Sequence, residues 1–177
     1  MFYHKIRYLV LLMVMLAQLF VQEAVATDSH KTKDFDMNGA IAAENGGVFS
    51  KGEPMPAQYS KYFSGQAWLR MLVPGGSEWN CPIGNVTFAP GCRNNWHSHG
   101  GGQILLVTAG HGWYQEFGQP PRALHAGDVV RIPANTKHWH GASKDSWFSH
   151  LSVETNVKEG PVTWMEPVNE ADYSKLP

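Results

Sequence analysis

The chain has 177 residues, of which 14 are lysine or arginine and 15 are aspartate or glutamate, so its formal net charge at pH 7 is −1. No basic run or basic helix face stands out, which argues against a nucleic-acid partner. The length fits one domain with a sizeable core once a targeting segment is set aside.

The first 26 residues are predicted to be a signal peptide. Lys5 and Arg7 precede an apolar run at 9–21, and residues 24–26 (Ala-Val-Ala) offer the small side chains that a signal peptidase reads. The apolar run is shorter than the roughly twenty residues needed to span a bilayer, which argues against a membrane anchor. We therefore expect cleavage after Ala26 and a periplasmic or secreted protein without membrane contact.

A flexible lead-in is predicted at 27–47, because residues 28–36 mix charges of both signs with small polar side chains, and one domain is predicted at 48–177. The domain is predicted to consist of short strands separated by turns rich in glycine and proline, with one short helix at 169–173. This pattern indicates an all-β sandwich or barrel. The predicted strands are 67–73, 84–88, 95–99, 103–108, 112–117, 129–132, 138–141 and 147–153.

Two cysteines, Cys81 and Cys92, are predicted to be separate thiols although the expected compartment is oxidising. They flank a predicted strand, and an extended chain of that length places their Cα atoms about 20 Å or more apart, beyond the reach of a disulfide. Regular alternation also points Cys92 away from the histidines discussed next, so we do not favour it as a metal ligand.

The most informative pattern in the sequence is a set of histidines spaced two residues apart, the spacing that places side chains on one face of a strand. His97 and His99 share one face of the predicted strand 95–99, and Gln103 keeps the same parity if the chain stays extended. His138 follows another predicted strand and can add a third imidazole. Three nitrogens and one oxygen suit a divalent transition metal, and four ligands on an octahedral ion leave positions open for water or substrate. The sequence therefore predicts a metal site built for chemistry.

The same residues resemble the two sequence motifs of the cupin family. The resemblance covers roughly 48–173, and it departs from the usual motifs at Gln103, where most cupins carry glutamate, at Asn135 in place of glycine, and at Ala142 in place of asparagine. In detail the motifs are similar to those of small single-domain cupins that include manganese-dependent hydroxynitrile lyases. The resemblance implies a double-stranded β-helix, the cupin jelly roll. The matching segments are Gly91-x5-His97-x-His99-x3-Gln103-x6-Gly110 and Gly127-x5-Pro133-x-Asn135-x2-His138.

The resemblance also implies roles for residues beside the metal. It favours manganese as the ion, with iron, nickel or zinc as alternatives. His150 falls where the similar lyases place the histidine proposed to transfer a proton, although a hydrogen-bonded barrel histidine is the structural alternative. His140 shares a face with His138 and is predicted either to face the substrate or to be a solvated rim residue. Glu154 stands where those lyases carry glutamine, which adds a possible base.

The sequence thus favours a metal-dependent enzyme, most simply a lyase, that acts on a small oxygenated or carbonyl compound, with carbon–carbon cleavage of the hydroxynitrile type as the nearest analogy. An iron-dependent dioxygenase and a non-enzymatic periplasmic module that binds a metal or ligand are the alternatives, because one fold hosts many chemistries. We expect a small-molecule substrate and a homo-oligomer.

Overall fold

Residues 43–177 are described by a computed structural model of the chain. The predicted signal peptide at 1–26 and most of the predicted lead-in lie outside the described residues. None of the helices in the described part is long and apolar enough to cross a membrane.

Twelve strands and a few short helical turns make up this part of the chain, which confirms the predicted all-β class. The helical segments are α1 (Ala57–Ser60), a 3-10 turn (Val157–Glu159) and α2 (Glu170–Tyr173). The strands are β1 (Glu53–Pro54), β2 (Phe63–Ser64), β3 (Ala67–Val73), β4 (Ile83–Phe88), β5 (Arg93–Asn94), β6 (His97–His99), β7 (Gln103–Glu116), β8 (Arg122–His125), β9 (Val129–Ile132), β10 (His138–Ala142), β11 (Phe148–Glu154) and β12 (Val162–Trp164).

All strand pairs are antiparallel, and their main order is β1-β3-β4-β11-β7-β10-β5-β2. β7 is one continuous strand, where the sequence predicted two, and it changes partners in its middle. Its first half pairs with β11 and β9, and its second half pairs with β10 and β8. Gly110 lies at this change with φ +76°, and a Cβ there would lie 1.9 Å from the Trp147 carbonyl oxygen. Only glycine fits there, and the strand continues through the bend from one pair of partner strands to the other.

The core is formed by apolar side chains that alternate inward along these strands. Phe88, Leu105 and Phe148 are fully buried in the larger cluster. A second cluster holds Trp139 and Tyr173, with Trp96 packed against it. Because side chains alternate along a strand, Trp139 points away from its neighbours His138 and His140. Helix α2 contributes Tyr173 to this second cluster.

The interruption between β5 and β6 was not predicted. Trp96 makes its backbone hydrogen bonds with the C-terminal segment, donating to the Glu166 carbonyl and accepting from Met165, so the predicted strand 95–99 begins only at His97. β6 then pairs with β12 as well as β10. Local alternation of His97 and His99 survives, because both lie within the three-residue β6.

The end of the predicted lead-in is held on the sheet. Asn85 is fully buried and donates to the carbonyl oxygen of Gly46 at 2.9 Å, and the Ser149 hydroxyl donates to the carbonyl of Ala43 at 3.0 Å. These bonds attach residues 43–47 to β4 and β11.

Both cysteines are free thiols, as predicted. Cys92 is buried in the larger core cluster, and burial raises its pKa to about 12. A protonated thiol packed among apolar side chains is a poor metal ligand.

Candidate metal centre and its cavity

Two short strands in register bring the histidines together. β6 supplies His97 and His99, β10 supplies His138 and His140, and His97 lies directly opposite His138 across the antiparallel pair. All four side chains are buried. Gln103, the first residue of β7, is buried beside them.

Ligand atoms of three histidines lie within 4.8 Å of one another: those of His97, His138 and His140. The rings of His97 and His138 have centroids 4.2 Å apart, and those of His97 and His140 are 5.5 Å apart. Two of the three were predicted as ligands, whereas His140 was predicted to face the substrate or the rim. The hydrogen bonds around each ring therefore decide which nitrogen atoms are free to bind an ion.

Backbone carbonyls fix the tautomers of His97 and His138. Nδ1 of His97 lies 3.0 Å from the carbonyl oxygen of Asn95, and Nδ1 of His138 lies 2.8 Å from that of Thr136. Since a carbonyl oxygen only accepts, each Nδ1 carries the hydrogen and donates it. Both Nε2 atoms then keep their lone pairs, which is the arrangement that metal-binding histidines require.

Gln103 turns its oxygen toward His138. Gln103 Oε1 lies 3.2 Å from His138 Nε2, while Gln103 Nε2 donates to the Ser152 hydroxyl at 2.8 Å. Burial lowers the pKa of His138 to about 4, so at neutral pH its Nε2 holds no hydrogen and two acceptor atoms face each other. A cation bound by both atoms removes that conflict. The pair therefore fits a divalent metal.

His99 supplies a further free donor atom. Its Nε2 is buried and has no hydrogen-bond partner within the described residues. The His99 ring centroid lies 5.2 Å from that of His97 and 5.8 Å from that of His138. A buried nitrogen without a partner is costly, and metal binding would satisfy it.

His140 is held by a neighbouring amide that the sequence analysis did not identify. Asn94 Oδ1 accepts from the His140 backbone N–H at 3.0 Å, and Asn94 Nδ2 lies 3.1 Å from His140 Nε2 and 3.3 Å from Nδ1. An amide nitrogen at nearly equal distances from both ring nitrogens lies over the ring face, so it leaves the in-plane lone pair of the His140 ring free. Asn94 thus fixes the position of His140 without excluding it as a ligand. The contacts leave two candidate ligand sets: the set predicted from the sequence, His97, His99, Gln103 and His138, and the compact trio of His97, His138 and His140.

An aromatic ring that lines the cavity stacks on the predicted ligand His97. The Trp164 ring stacks on the His97 ring with centroids 4.7 Å apart, and Tyr62 stacks on Trp164 at 4.6 Å. Trp164 is opposite His97 because β12 pairs with β6. This stack orients the His97 ring, and no pattern in the sequence predicts it.

All the clustered histidines are neutral at pH 7. Burial, followed by repulsion from neighbouring histidines, lowers the pKa of His97 and His140 well below the usual range. Burial lowers the pKa values of His99, His138 and His150 to about 4. Neutral imidazole is the form that binds metals.

We expect the metal-free protein to lose stability as the pH falls from about 6.5 to about 4. The unfolded chain binds protons on these histidines near pH 6.5, whereas the folded chain binds them only near pH 4, so acid favours unfolding in this window. Each such histidine can lower the free energy of unfolding by up to about 3 kcal/mol over this pH range. That change is large because the total free energy of unfolding of a typical domain is about 5–15 kcal/mol. Urea unfolding of chelator-treated protein at pH 7.5, 6 and 4.5 measures this dependence.

Two variants show whether the buried histidines cause it. His150→Gln should flatten the dependence on pH, because it removes one buried titrating ring. His125→Gln should change it far less than His150→Gln, since the side chain of His125 is 67% exposed whereas that of His150 is fully buried. Equal unfolding free energies at pH 7.5 and 4.5 in the wild type would contradict the expectation.

A cavity of about 760 Å³ opens beside the cluster. His150 is fully buried in its wall with its ring centroid 4.8 Å from that of His140, and neither His150 ring nitrogen has a hydrogen-bond partner in the described part of the chain. Burial lowers the pKa of His150, and the nearby backbone of Leu151 raises it by a smaller amount. Glu154 also lines the cavity, and burial raises its pKa. The cavity thus joins the cluster to a neutral imidazole able to give and take a proton.

Comparison with known proteins agrees with this description. A cupin domain model matches residues 84–154. An (R)-mandelonitrile lyase from Granulicella tundricola is 43% identical over 91 residues, which are 51% of this chain and 70% of that protein.

Solved structures show the same fold. A cupin-like protein from Thermotoga maritima superposes with a TM-score of 0.68 at 44% identity, over 72% of this chain and 95% of that one. A DMSP lyase from Ruegeria pomeroyi gives a TM-score of 0.52 at 22% identity, over 70% of this chain and 61% of that one, a likeness of fold alone. These matches confirm the predicted double-stranded β-helix. The family resemblance is confirmed as well: the chain belongs to the cupin family.

Proposed function

We propose that this protein is a metal-dependent lyase that cleaves a carbon–carbon bond beside a hydroxyl group in a small compound of the hydroxynitrile class. The observation that carries the proposal is His150, a buried and neutral imidazole without a partner, in the same cavity as the histidine and glutamine cluster. Similarity to an (R)-mandelonitrile lyase supports this choice of reaction.

In the proposed site, His97, His99, Gln103 and His138 hold a divalent transition metal, manganese first, with iron, nickel or zinc as alternatives. Such an ion, when bound, supplies Lewis acidity to a substrate oxygen. All four side chains are neutral ligands, so they leave the full positive charge of the ion in place. Gln103 matters here, because a carboxylate in its position would cancel part of that charge.

The proposed role of His150 is proton transfer. Its neutral ring accepts the proton of the substrate hydroxyl while the bond between the carbinol carbon and the cyanide carbon breaks. The electron pair of that bond leaves with cyanide, and the carbinol oxygen becomes a carbonyl. The neutral ring is the form that can accept a proton at pH 7. Burial lowers the pKa of His150, which makes the ring a weaker base than a free imidazole and makes its protonated form a stronger acid, able to return the proton to cyanide as HCN.

The cavity suits a substrate with an apolar body and one polar end. Met55, Phe63, Leu69 and Met71 form part of its wall, and the histidines form another part. Its volume of about 760 Å³ lies in the range usual for small-molecule sites. Mandelonitrile, with one phenyl ring and one hydroxynitrile group, is the first substrate to test.

The test is release of benzaldehyde from mandelonitrile by protein loaded with Mn²⁺, followed by absorbance, together with oxygen uptake in the same mixture. We expect benzaldehyde release that stops after treatment with a chelator and returns with Mn²⁺, and no oxygen uptake. Oxygen uptake dependent on iron would instead indicate a dioxygenase. Saturable binding of cyanohydrins without turnover would indicate a binding module.

A further inference from the structure

The orientation of the His150 side chain is not fixed by a hydrogen bond within the described residues, because both of its ring nitrogens lack a partner there. Its ring packs against the rings of Phe88, Phe148 and His140, with centroids 5.7, 5.4 and 4.8 Å away. Ring packing tolerates small rotations better than a hydrogen bond does. The direction of the His150 ring therefore depends on the backbone that carries it.

That backbone faces a β-bulge on the neighbouring strand. Ser149 is opposite Ala109 across the β7–β11 pair. The next residue, His150, is opposite Val107, so Thr108 is an extra residue on β7. On its other edge β11 pairs with β4 without a shift. Bulges of this kind redirect side chains and are common beside active sites.

The Thr108 hydroxyl bridges the shift in register. It donates to the carbonyl oxygen of Ser149 at 3.1 Å. The direction of this bond is certain, because a carbonyl oxygen only accepts. The carbonyl belongs to the peptide group that joins Ser149 to His150, and a peptide group is planar. The bond therefore helps to fix the plane from which the His150 side chain projects.

Further hydrogen bonds hold Ser149 from the outer face of the sheet. Its hydroxyl donates to the Ala43 carbonyl at 3.0 Å, which leaves its oxygen to accept from the Thr87 hydroxyl at 2.9 Å. Thr108 lies beside the same N-terminal segment, since a Cβ on Gly47 would lie 2.8 Å from Thr108 Oγ1. The backbone before His150 is thus held on the face away from the cavity.

We propose that Thr108 is a positioning residue whose hydroxyl holds the peptide group between Ser149 and His150 and so directs the His150 ring at the substrate. The catalytic part of this inference rests on the proposed function. Without the hydroxyl, the bulge loses the side-chain bond that spans its shift in register, and the His150 ring can turn with its backbone. A displacement of about 1 Å at a catalytic group can lower the rate about a hundredfold.

The first test compares kcat and KM for mandelonitrile in variants loaded with Mn²⁺. Thr108→Val has the shape of threonine without the hydroxyl, and its kcat should fall about tenfold to a hundredfold with KM nearly unchanged. Thr108→Ala also lacks the hydroxyl and should behave alike, whereas Thr108→Ser keeps it and should retain most of kcat. Ser143→Ala is the control: it removes a buried hydroxyl that donates to Asp145, neither residue lines the cavity, and kcat should not change.

Two further measurements separate positioning from a general loss of stability. In the His150→Ala background, Thr108→Val should change kcat by less than about twofold, because the ring that Thr108 positions is already gone. Nitrogen-15 spectra of the chelator-treated protein report the ring without turnover. The His150 ring signals, identified by their loss in His150→Gln, should shift in Thr108→Val and stay in place in Thr108→Ser and Ser143→Ala.

The outcomes distinguish this inference from the proposed function. If the wild type does not cleave mandelonitrile while the His150 signals shift in Thr108→Val but not in Thr108→Ser, the proposed reaction is overturned and the positioning of the ring stands. Unchanged His150 signals and unchanged kcat in Thr108→Val would overturn the inference. An equal fall of kcat in the wild-type and His150→Ala backgrounds would show that Thr108 acts through another residue, which also overturns it.

Discussion

His150→Ala should lower the turnover of mandelonitrile by about two to four decades while leaving the metal content unchanged. The substrate hydroxyl must lose a proton as the carbon–carbon bond breaks, and His150 is the fully buried cavity imidazole whose two ring nitrogens have no partner in the described residues. It stands apart from the proposed ligand set, so its loss removes the proton acceptor without removing an oxygen or nitrogen ligand. Steady-state kcat and elemental analysis of the same preparation measure both quantities.

The matched control is His125→Ala, which removes an exposed imidazole on β8 and should change neither turnover nor metal content. Loss of metal in His150→Ala would make His150 a ligand. Full activity in that variant would place the base elsewhere, and His140 and Glu154, which line the same cavity, are the next residues to replace.

The part of the site that the sequence could predict depends on local geometry. Side-chain alternation alone places His97 and His99 on one face of β6, and His138 and His140 on one face of β10. The resemblance to the two cupin motifs predicted in addition that these two segments lie side by side. In the structure they pair, with His97 opposite His138.

The contacts that tune the site lie beyond such reasoning, because they depend on strands distant in the sequence. Ser152 reaches Gln103 across 49 positions, and Asn94 reaches His140 across 46. Trp164 reaches His97 only because β12 pairs with the short β6. The break before β6 has the same origin, since the Trp96 backbone bonds to residues 165 and 166 rather than continuing a strand.

The length of β7 shows the same limit in the fold. Gly110 resembles a turn glycine in the sequence, and two strands were predicted around it. In the structure its positive φ belongs to a bend within one strand, and the close approach of the Trp147 carbonyl leaves no room for a side chain there. A glycine at this position is consistent with a positive φ. Whether the chain turns there or continues as one strand depends on its pairing with β11, which the local sequence does not reveal.

Replacing single histidines should separate the two ligand sets that the cluster offers. His138→Ala and His97→Ala should each weaken metal binding by at least about a hundredfold, more than the loss of an orienting neighbour costs, because each removes a nitrogen whose lone pair faces the site. His99→Ala should do the same if the unpartnered His99 Nε2 is a ligand. His140→Ala should keep most of the affinity if the set predicted from the sequence holds the ion, because His140 lies outside that set.

Mn²⁺ titration of the four variants beside His125→Ala tests this order. Strong loss in His140→Ala with little loss in His99→Ala would replace the predicted set by the compact trio of His97, His138 and His140. Equal binding in the wild type, His97→Ala and His138→Ala would remove the metal site altogether, since those two residues belong to both sets. The experiment thus asks which ring completes the site beside His97 and His138: that of His99, whose buried Nε2 has no partner within the described residues, or that of His140, whose ligand atom lies within 4.8 Å of theirs.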